Sequence, residues 1–276
     1  MLKQNILIIG RNSFLASGIY NQCKNNPNLN ITLVGYLDLP ENYEAFDWVI
    51  NCAFNNQQYT HEMDISNNYD LKVIKAIKNY DTKYLFLSSR AVYGSHEQLK
   101  KHDESFEAEG SLITQYGRNK LNCEKIILDE LPSSRVLICR CANIFGIEVG
   151  EKFFGIAQRS LVKNNEIILN MSKKVIKDFL PLPSFSEIIE LLLINNIIGK
   201  YNIGSGIETN LDEICSSLIR GYGSGSIIDS SNLYRDQFVL DISKLETVID
   251  FDITKEKILS YTYTIGKLLK GNNEQV

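Results

Sequence analysis

The sequence predicts an α/β fold in which a doubly wound parallel sheet is followed by a smaller α/β lobe. Short apolar runs such as Asn5–Ile9 alternate with segments of helical periodicity, which is typical of parallel strands buried on both faces. From about Gly150 the pattern changes to shorter helices and glycine-broken loops. We therefore assign residues 1–150 to the sheet domain, to which some later segments return, and 151–276 mainly to the second lobe.

Composition argues against several classes of protein. The formal net charge is −4 and the pI is near 5.5, whereas a protein that binds nucleic acid or a membrane surface needs a basic face. The longest apolar stretch, Ile188–Ile198, is interrupted by Glu190, Asn195 and Asn196 and is too short to span a bilayer. We expect neither nucleic acid nor a membrane as a partner.

The N-terminus and the cysteines indicate a reducing compartment. The first residues lack the separate basic, apolar and small-residue regions of a signal peptide, so we expect a cytoplasmic location. The 6 cysteines form no C-x-x-C pair, and the 3 histidines have no ligand spacing. We expect reduced thiols and no metal site.

The first predicted strand leads into a turn suited to phosphate. Asn5–Ile9 ends at Gly10, and Arg11–Ile19 opens a helix in which Ser13 and Ala16 stand where a Gly-x-x-Gly-x-x-Gly turn has its later glycines. Small residues here let the backbone and the helix N-terminus approach a pyrophosphate. The predicted cofactor-binding residues of this turn are Gly10, Arg11, Asn12, Ser13, Phe14 and Leu15.

The second predicted strand, Ile31–Tyr36, bears on the type of dinucleotide. An acidic side chain near the end of this strand would accept from the ribose of NAD, but the place is taken by Tyr36, with Asp38 a little beyond. Arg11 is suited to pair with a 2′-phosphate, although its alternative is a solvated loop charge. We favour NADP(H) over NAD(H).

Two further strands and a helix precede a pair of hydroxyl residues. Trp48–Ala53 is a predicted buried strand, residues 68–78 have helical spacing, and Lys83–Leu87 runs into Ser88 and Ser89. Ligands bind at the carboxyl ends of parallel strands. Ser89 is therefore a candidate donor to a substrate oxygen, with a serine that caps a turn as the alternative.

The next helix carries a tyrosine and a lysine one turn apart. Tyr116 and Lys120 lie in the predicted helix Thr114–Glu130, where residues i and i+4 share a face. A nearby ammonium favours the phenolate, so Tyr116, whose ordinary pKa is about 10, becomes a candidate acid or base. The alternative is a surface pair, since Tyr-x-x-x-Lys often arises by chance.

Four segments in this order resemble the extended short-chain dehydrogenase/reductase family, in its nucleotide-sugar epimerase, dehydratase and reductase branch. They are Gly10-x-x-Ser13-x-x-Ala16, Ser88-Ser89-x-x-Val92-Tyr93-Gly94, Tyr116-x-x-x-Lys120 and Arg140-x-x-Asn143-x-x-Gly146, with weaker matches at Lys177-Asp178-Phe179 and Arg235-Asp236. The resemblance implies a Rossmann domain that binds NAD(P) in residues 1–150 and a lobe in 151–276 that binds a nucleoside-diphosphate sugar.

The resemblance also implies residue roles. Tyr116 corresponds to the catalytic acid/base, Lys120 to the residue that holds the nicotinamide ribose and lowers the tyrosine pKa, and Ser89 to the hydroxyl that orients the sugar oxygen. The implied cofactor contacts further include Tyr36, Cys52 and Ala53. The implied substrate contacts are Ser89, Arg90, Tyr93, Asn143 and Arg235.

Departures from the family pattern favour one reaction. Arg90 and Ala91 stand where family dehydratases have an Asp-Glu pair, so a 4,6-dehydratase is disfavoured. The shortened substrate lobe resembles the smaller 4-ketosugar reductases. We predict a reductase of a nucleotide-linked 4-keto-6-deoxy sugar, with a role in surface polysaccharide synthesis expected from the resemblance.

Two alternative functions remain open, and the resemblance also implies a homodimer. One alternative is a nucleotide-sugar epimerase with a tightly held cofactor, and the other is an NAD(P)-sensing regulator without catalysis. Related enzymes pair two long helices from each subunit in a four-helix bundle. We therefore predict a homodimer through helices 68–78 and 114–130.

Overall fold

A computed structural model describes residues 3–147, 152–229 and 231–273 of the chain. Its strands are β1 Gln4–Ile9, β2 Leu29–Val34, β3 Trp48–Asn51, β4 Lys83–Ser89, β5 Lys101–His102, β6 Val136–Cys141, β7 Asn143–Phe145, β8 Glu166–Leu169, β9 Ile176–Lys177, β10 Phe179–Pro181, β11 Gly199–Ile203, β12 Thr209–Asn210, β13 Ser226–Asp229 and β14 Val239–Leu240. Its α-helices are α1 Phe14–Cys23, α2 Tyr69–Ile77, α3 Gln115–Glu130, α4 Phe153–Asn164, α5 Leu182–Ile194, α6 Leu211–Tyr222, α7 Ser243–Glu246 and α8 Lys255–Asn273.

Six strands form the central sheet in the order β11-β6-β4-β3-β1-β2. Every neighbouring pair is parallel, which confirms the predicted doubly wound fold. The chain adds β2 on one side of β1 and β3 on the other, so the strand order reverses between β1 and β3. In open parallel sheets such a reversal opens a crevice at the carboxyl ends of the strands.

Alternating side chains of the strands build one core on each face of the sheet. In β1, Ile6 and Ile8 belong to a cluster with α1 and α5, whereas Leu7 and Ile9 belong to a cluster with α2 and α3. This division follows from the two-residue period of a strand. Both faces are therefore covered by helices, as the continuous apolar runs of the sequence require.

The second lobe has a core of its own around α4, α6 and α8. Pairs of short strands, β8 with β13 and β9 with β12, extend it beyond the sheet. The chain returns to the central sheet through β11, which pairs with β6. Within the described residues, none of the helices combines the length and hydropathy needed to cross a membrane.

Candidate active site

Helix α3 lies directly on the turn that follows β4. A Cβ atom placed on Gly117 would be 2.3 Å from the carbonyl oxygen of Ala91, a distance that excludes any side chain at this position. The turn, Arg90–Tyr93, begins immediately after Ser89. Glycine at 117 thus allows the close contact that brings Tyr116 and Ser89 to one cavity.

Lys120 is buried beneath this contact. Its Nζ donates to the carbonyl oxygen of Leu87 over 2.8 Å and lies 4.6 Å from the ring centroid of Phe86. Burial by itself disfavours the ammonium, but Tyr116 and the buried Asp70 outweigh it and raise the pKa of Lys120 above its ordinary value. The site therefore holds a buried cation one helical turn from Tyr116.

Ser89 is compatible with both roles considered for it from the sequence, a donor to a substrate oxygen and a cap of the turn. Its Oγ accepts from the backbone N–H of Ala91 over 3.2 Å and so caps the turn. Accepting a hydrogen bond leaves the hydroxyl proton free for donation to another oxygen. The same serine can therefore fix the turn and bind a ligand.

Two cavities meet at these residues. The larger has a volume of about 1100 Å³ and the smaller of about 450 Å³. Both are lined by Tyr59, Ser89, Tyr116, Ala142, Ile144 and Lys152. A group in one cavity and a group in the other would therefore meet beside Ser89 and Tyr116.

The larger cavity fits a dinucleotide. Gly10 has a φ of 101°, and a Cβ there would lie 2.7 Å from the backbone nitrogen of Ala53, so only glycine allows β1 and β3 to end this close together. Helix α1 begins beside this point, and its first turn contains no acidic residue, which leaves its N–H groups and dipole available to an anion. The predicted cofactor residues that line this cavity are Asn12, Ser13, Phe14, Leu15, Cys52, Ala53, Tyr116 and Lys120.

Arg11 and Tyr36 lie outside the set of described residues that line the cavities. The Arg11 guanidinium forms an ion pair with Asp38 over 3.1 Å, and both side chains are more than half exposed. The Tyr36 ring stacks on Tyr69 with 3.8 Å between the centroids. The sequence singled out Asp38 and Arg11 as competing determinants of the dinucleotide, and the structure pairs them with each other.

The smaller cavity carries a group of charged side chains. Asp236 accepts from Lys177 Nζ over 2.7 Å and from the guanidinium of Arg90, so one carboxylate holds two cations. Burial and the neighbouring Arg90 lower the pKa of Lys177 in spite of the Asp236 carboxylate. Lys152 also lines this cavity. With three cations and one carboxylate among its described lining residues, the cavity favours an anionic ligand.

The structure separates the predicted substrate residues into two groups. Ser89, Arg90 and Asn143 line the smaller cavity. Tyr93 is buried and its hydroxyl donates to Asn202 Oδ1 over 2.6 Å, while Arg235 is exposed. Neither of these two is among the described lining residues.

The sequence did not predict several of the residues that line the two cavities. Phe54 and Tyr59 place their rings near Tyr116, and they come from a loop without a recognisable pattern. Asp236 and Lys177 lie in short segments that resemble the family. The sequence does not show with which residue either charged side chain would pair. The adjacent Arg235-Asp236 pair was the one signal that pointed to Asp236.

Comparison with known sequences decides the family. The model of the NAD dependent epimerase/dehydratase family matches residues 7–204. The chain belongs to this family. The assignment makes the chain an NAD(P)-dependent enzyme of the extended short-chain dehydrogenase/reductase type.

Solved structures share the fold of this family member over nearly its full length. The UDP-N-acetylglucosamine 4-epimerase of Methanobrevibacter ruminantium M1, in complex with UDP-N-acetylmuramic acid, has a TM-score of 0.78 and 17% identity, and covers 99% of this chain and 100% of its own. The dTDP-glucose 4,6-dehydratase of Bacillus anthracis str. Ames, in complex with NAD, has a TM-score of 0.76 and 19% identity over 99% and 98% of the two chains. RMD from Pseudomonas aeruginosa, complexed with NADPH, has a TM-score of 0.72 and 19% identity over 98% and 100%.

Proposed function

We propose that this family member reduces a nucleoside-diphosphate sugar with NADPH, and that the sugar is a 4-keto-6-deoxy sugar. The observation that carries the proposal is the position of Ser89 and Tyr116 where a dinucleotide-sized cavity meets a smaller cavity lined by cations. The similar structures named above include enzymes of a UDP-sugar and a dTDP-sugar. The diphosphate of such a substrate suits the cations that line the smaller cavity.

The cofactor, when bound in the larger cavity, supplies a hydride to the sugar carbon. Tyr116 donates its phenolic proton to the sugar oxygen as negative charge develops there. Ser89 donates a hydrogen bond to the same oxygen and so fixes its orientation. The ammonium of Lys120, which is held by the Leu87 carbonyl oxygen, stabilises the phenolate until solvent returns the proton.

In this proposal the diphosphate of the substrate binds in the smaller cavity. Arg90 and Lys177 converge on the Asp236 carboxylate, and a diphosphate in the smaller cavity would offer both cations further acceptor oxygens. Arginine is well suited to such oxygens because its planar guanidinium binds two at once. Asn143 adds a neutral amide to the same cavity.

A stoichiometric assay tests the reaction. Purified protein is mixed with NADPH and a nucleotide-linked 4-keto-6-deoxy sugar, and NADPH absorbance and the sugar product are followed together. We expect one NADPH consumed per sugar reduced. Interconversion of sugars without net consumption, by protein that retains its cofactor, would instead identify an epimerase, and binding without any turnover would identify a regulator.

The preference for NADP(H) is part of the proposal and depends on Arg11. A 2′-phosphate must draw the guanidinium away from Asp38, which now lies 3.1 Å from it. We expect Arg11→Ala to weaken NADPH binding about tenfold and NADH binding less than about twofold. Asp38→Asn should strengthen NADPH binding, because it removes both the competing partner and a like charge.

Calorimetric titration of the two variants with both dinucleotides measures these effects. Lys24→Ala, at an exposed position beyond the far end of α1, is the control for the loss of a surface cation. Equal losses of NADPH and NADH affinity in Arg11→Ala would show that Arg11 does not read the phosphate.

A further inference from the structure

Two aromatic rings stand beside Tyr116 at the boundary of the cavities. The Tyr59 ring lies 4.9 Å from the Tyr116 ring between centroids, at an interplanar angle of 36°. Phe54 contacts both rings, 4.8 Å from Tyr59 and 5.7 Å from Tyr116. Tyr59 lines both cavities whereas Phe54 lines the larger one, so Tyr59 is the ring nearer to the substrate.

The turn that carries Tyr59 is tied to the helix of Tyr116. Asn119 is buried in α3, and its Nδ2 donates to two carbonyl oxygens of the loop, those of Gln58 at 2.9 Å and His61 at 2.8 Å. Its Oδ1 accepts from Gln115 Nε2 over 2.9 Å, which fixes the orientation of the amide. The turn Asn56–Tyr59 therefore has a set position relative to Tyr116.

The exposure of Tyr59 is unusual for a ring in such a position. It is 43% exposed, although it contacts two rings and lies at the junction of two cavities. Its neighbours at this junction include the small Ala142 and the aliphatic Ile144. The boundary thus offers an apolar surface that adjoins Ser89 and Tyr116, the residues that would bind the reacting oxygen.

We propose that Tyr59 stacks on the C–H face of the sugar ring, with Phe54 packed against the Tyr59 ring and Asn119 as the residue that positions its turn. A pyranose has polar edges and an apolar face, and aromatic side chains bury such faces over a large area with little loss of side-chain freedom. The inference rests on the proposed function. It assigns Tyr59 as a residue that recognises the sugar, while the cation-lined cavity binds the nucleotide.

The test separates the sugar part of binding from the nucleotide part. Calorimetry measures the affinity of the NADP⁺-loaded protein for UDP-glucuronic acid and dTDP-glucose, and for UDP and dTDP. We expect Tyr59→Ala to weaken binding of the nucleotide sugars at least tenfold and of the free nucleotides less than twofold. Tyr59→Phe, which retains the ring, should recover most of the lost affinity.

Two further variants complete the design. Asn119→Ala should weaken nucleotide-sugar binding by an intermediate factor, because the turn loses two hydrogen bonds while the ring remains. Tyr263→Ala removes a tyrosine of similar exposure, 42%, from α8 and serves as the control for the loss of a surface ring.

Each remaining outcome counts against the inference in a recognisable way. Equal losses for nucleotide sugars and free nucleotides, or a Tyr59→Phe variant as weak as Tyr59→Ala, would exclude stacking on the sugar. A loss of NADP⁺ affinity in place of sugar affinity would assign the ring to the cofactor. If the unaltered protein binds none of the nucleotide sugars, the proposed function fails as well, whereas unchanged binding by Tyr59→Ala would overturn the sugar contact alone.

Discussion

Tyr116→Phe is expected to lower kcat for sugar reduction by about 10³-fold, within the range attributed to a positioned general acid. The variant keeps the ring that packs against Phe54 and Tyr59 and removes the proton that the sugar oxygen must receive. Steady-state kinetics with saturating NADPH measures the loss.

The affinity for NADPH shows whether the loss of turnover comes from the missing proton donor or from a disturbed structure. The affinity of Tyr116→Phe for NADPH should stay within about threefold of the unaltered protein, because Lys120 and the phosphate turn are retained. Tyr263→Phe provides a control at a distant tyrosine. If Tyr116→Phe retained more than a tenth of the turnover, the assignment of the proton donor would be wrong.

Glu124→Leu is expected to lower the free energy of unfolding by about 3 to 5 kcal/mol, the cost of leaving a buried charge without its partner. Glu124 lies one turn beyond Lys120 and accepts from Arg140 Nη2 over 2.8 Å and from Ser88 Oγ over 2.5 Å. The side chains of Glu124 and Arg140 are each 5% exposed. Removal of the carboxylate would therefore strand the guanidinium in the interior.

Denaturant unfolding at constant pH measures this change. Glu130→Leu is a matched control on the same helix, since Glu130 pairs with Lys78 at an exposed position, and it should cost less than about 1 kcal/mol. The double variant Glu124→Leu with Arg140→Met should recover much of the stability, because an apolar pair can replace a buried ion pair. No recovery would show that packing, rather than the stranded charge, causes the loss.

Much of the sheet and of the tyrosine-lysine helix could be predicted from the sequence, because both depend on local patterns. The apolar runs gave the strands within a few residues, although the second strand, predicted at Ile31–Tyr36, begins and ends two residues earlier as Leu29–Val34. Helix α3 matches its predicted range, and Thr114 caps it by accepting from Gly117 N. Lys120 proved buried, which spacing alone did not distinguish from a surface pair.

The remainder of the site depends on contacts between distant segments. Arg90 and Asp236 are 146 residues apart in the chain, and Asn119 and His61 are 58 apart. No periodicity links such residues, so the anion-binding group and the aromatic wall became visible only in three dimensions. The homodimer, the cytoplasmic location and the boundary near residue 150 stay predictions of the sequence.

Residues 1–150 depend on strand β11 and helix α5, which are synthesised later, to cover their exposed edge and helix face. Strand β11 closes the edge of β6 with residues 199–203, and α5 covers α1 so closely that a Cβ on Gly18 would lie 2.6 Å from Leu182. Until residue 203 has left the ribosome, the growing chain exposes an unpaired strand edge and an uncovered apolar helix face, both of which promote aggregation. A fragment ending near residue 150 should therefore be insoluble when expressed alone, and it should be rescued by co-expression of the segment that supplies α5 and β11.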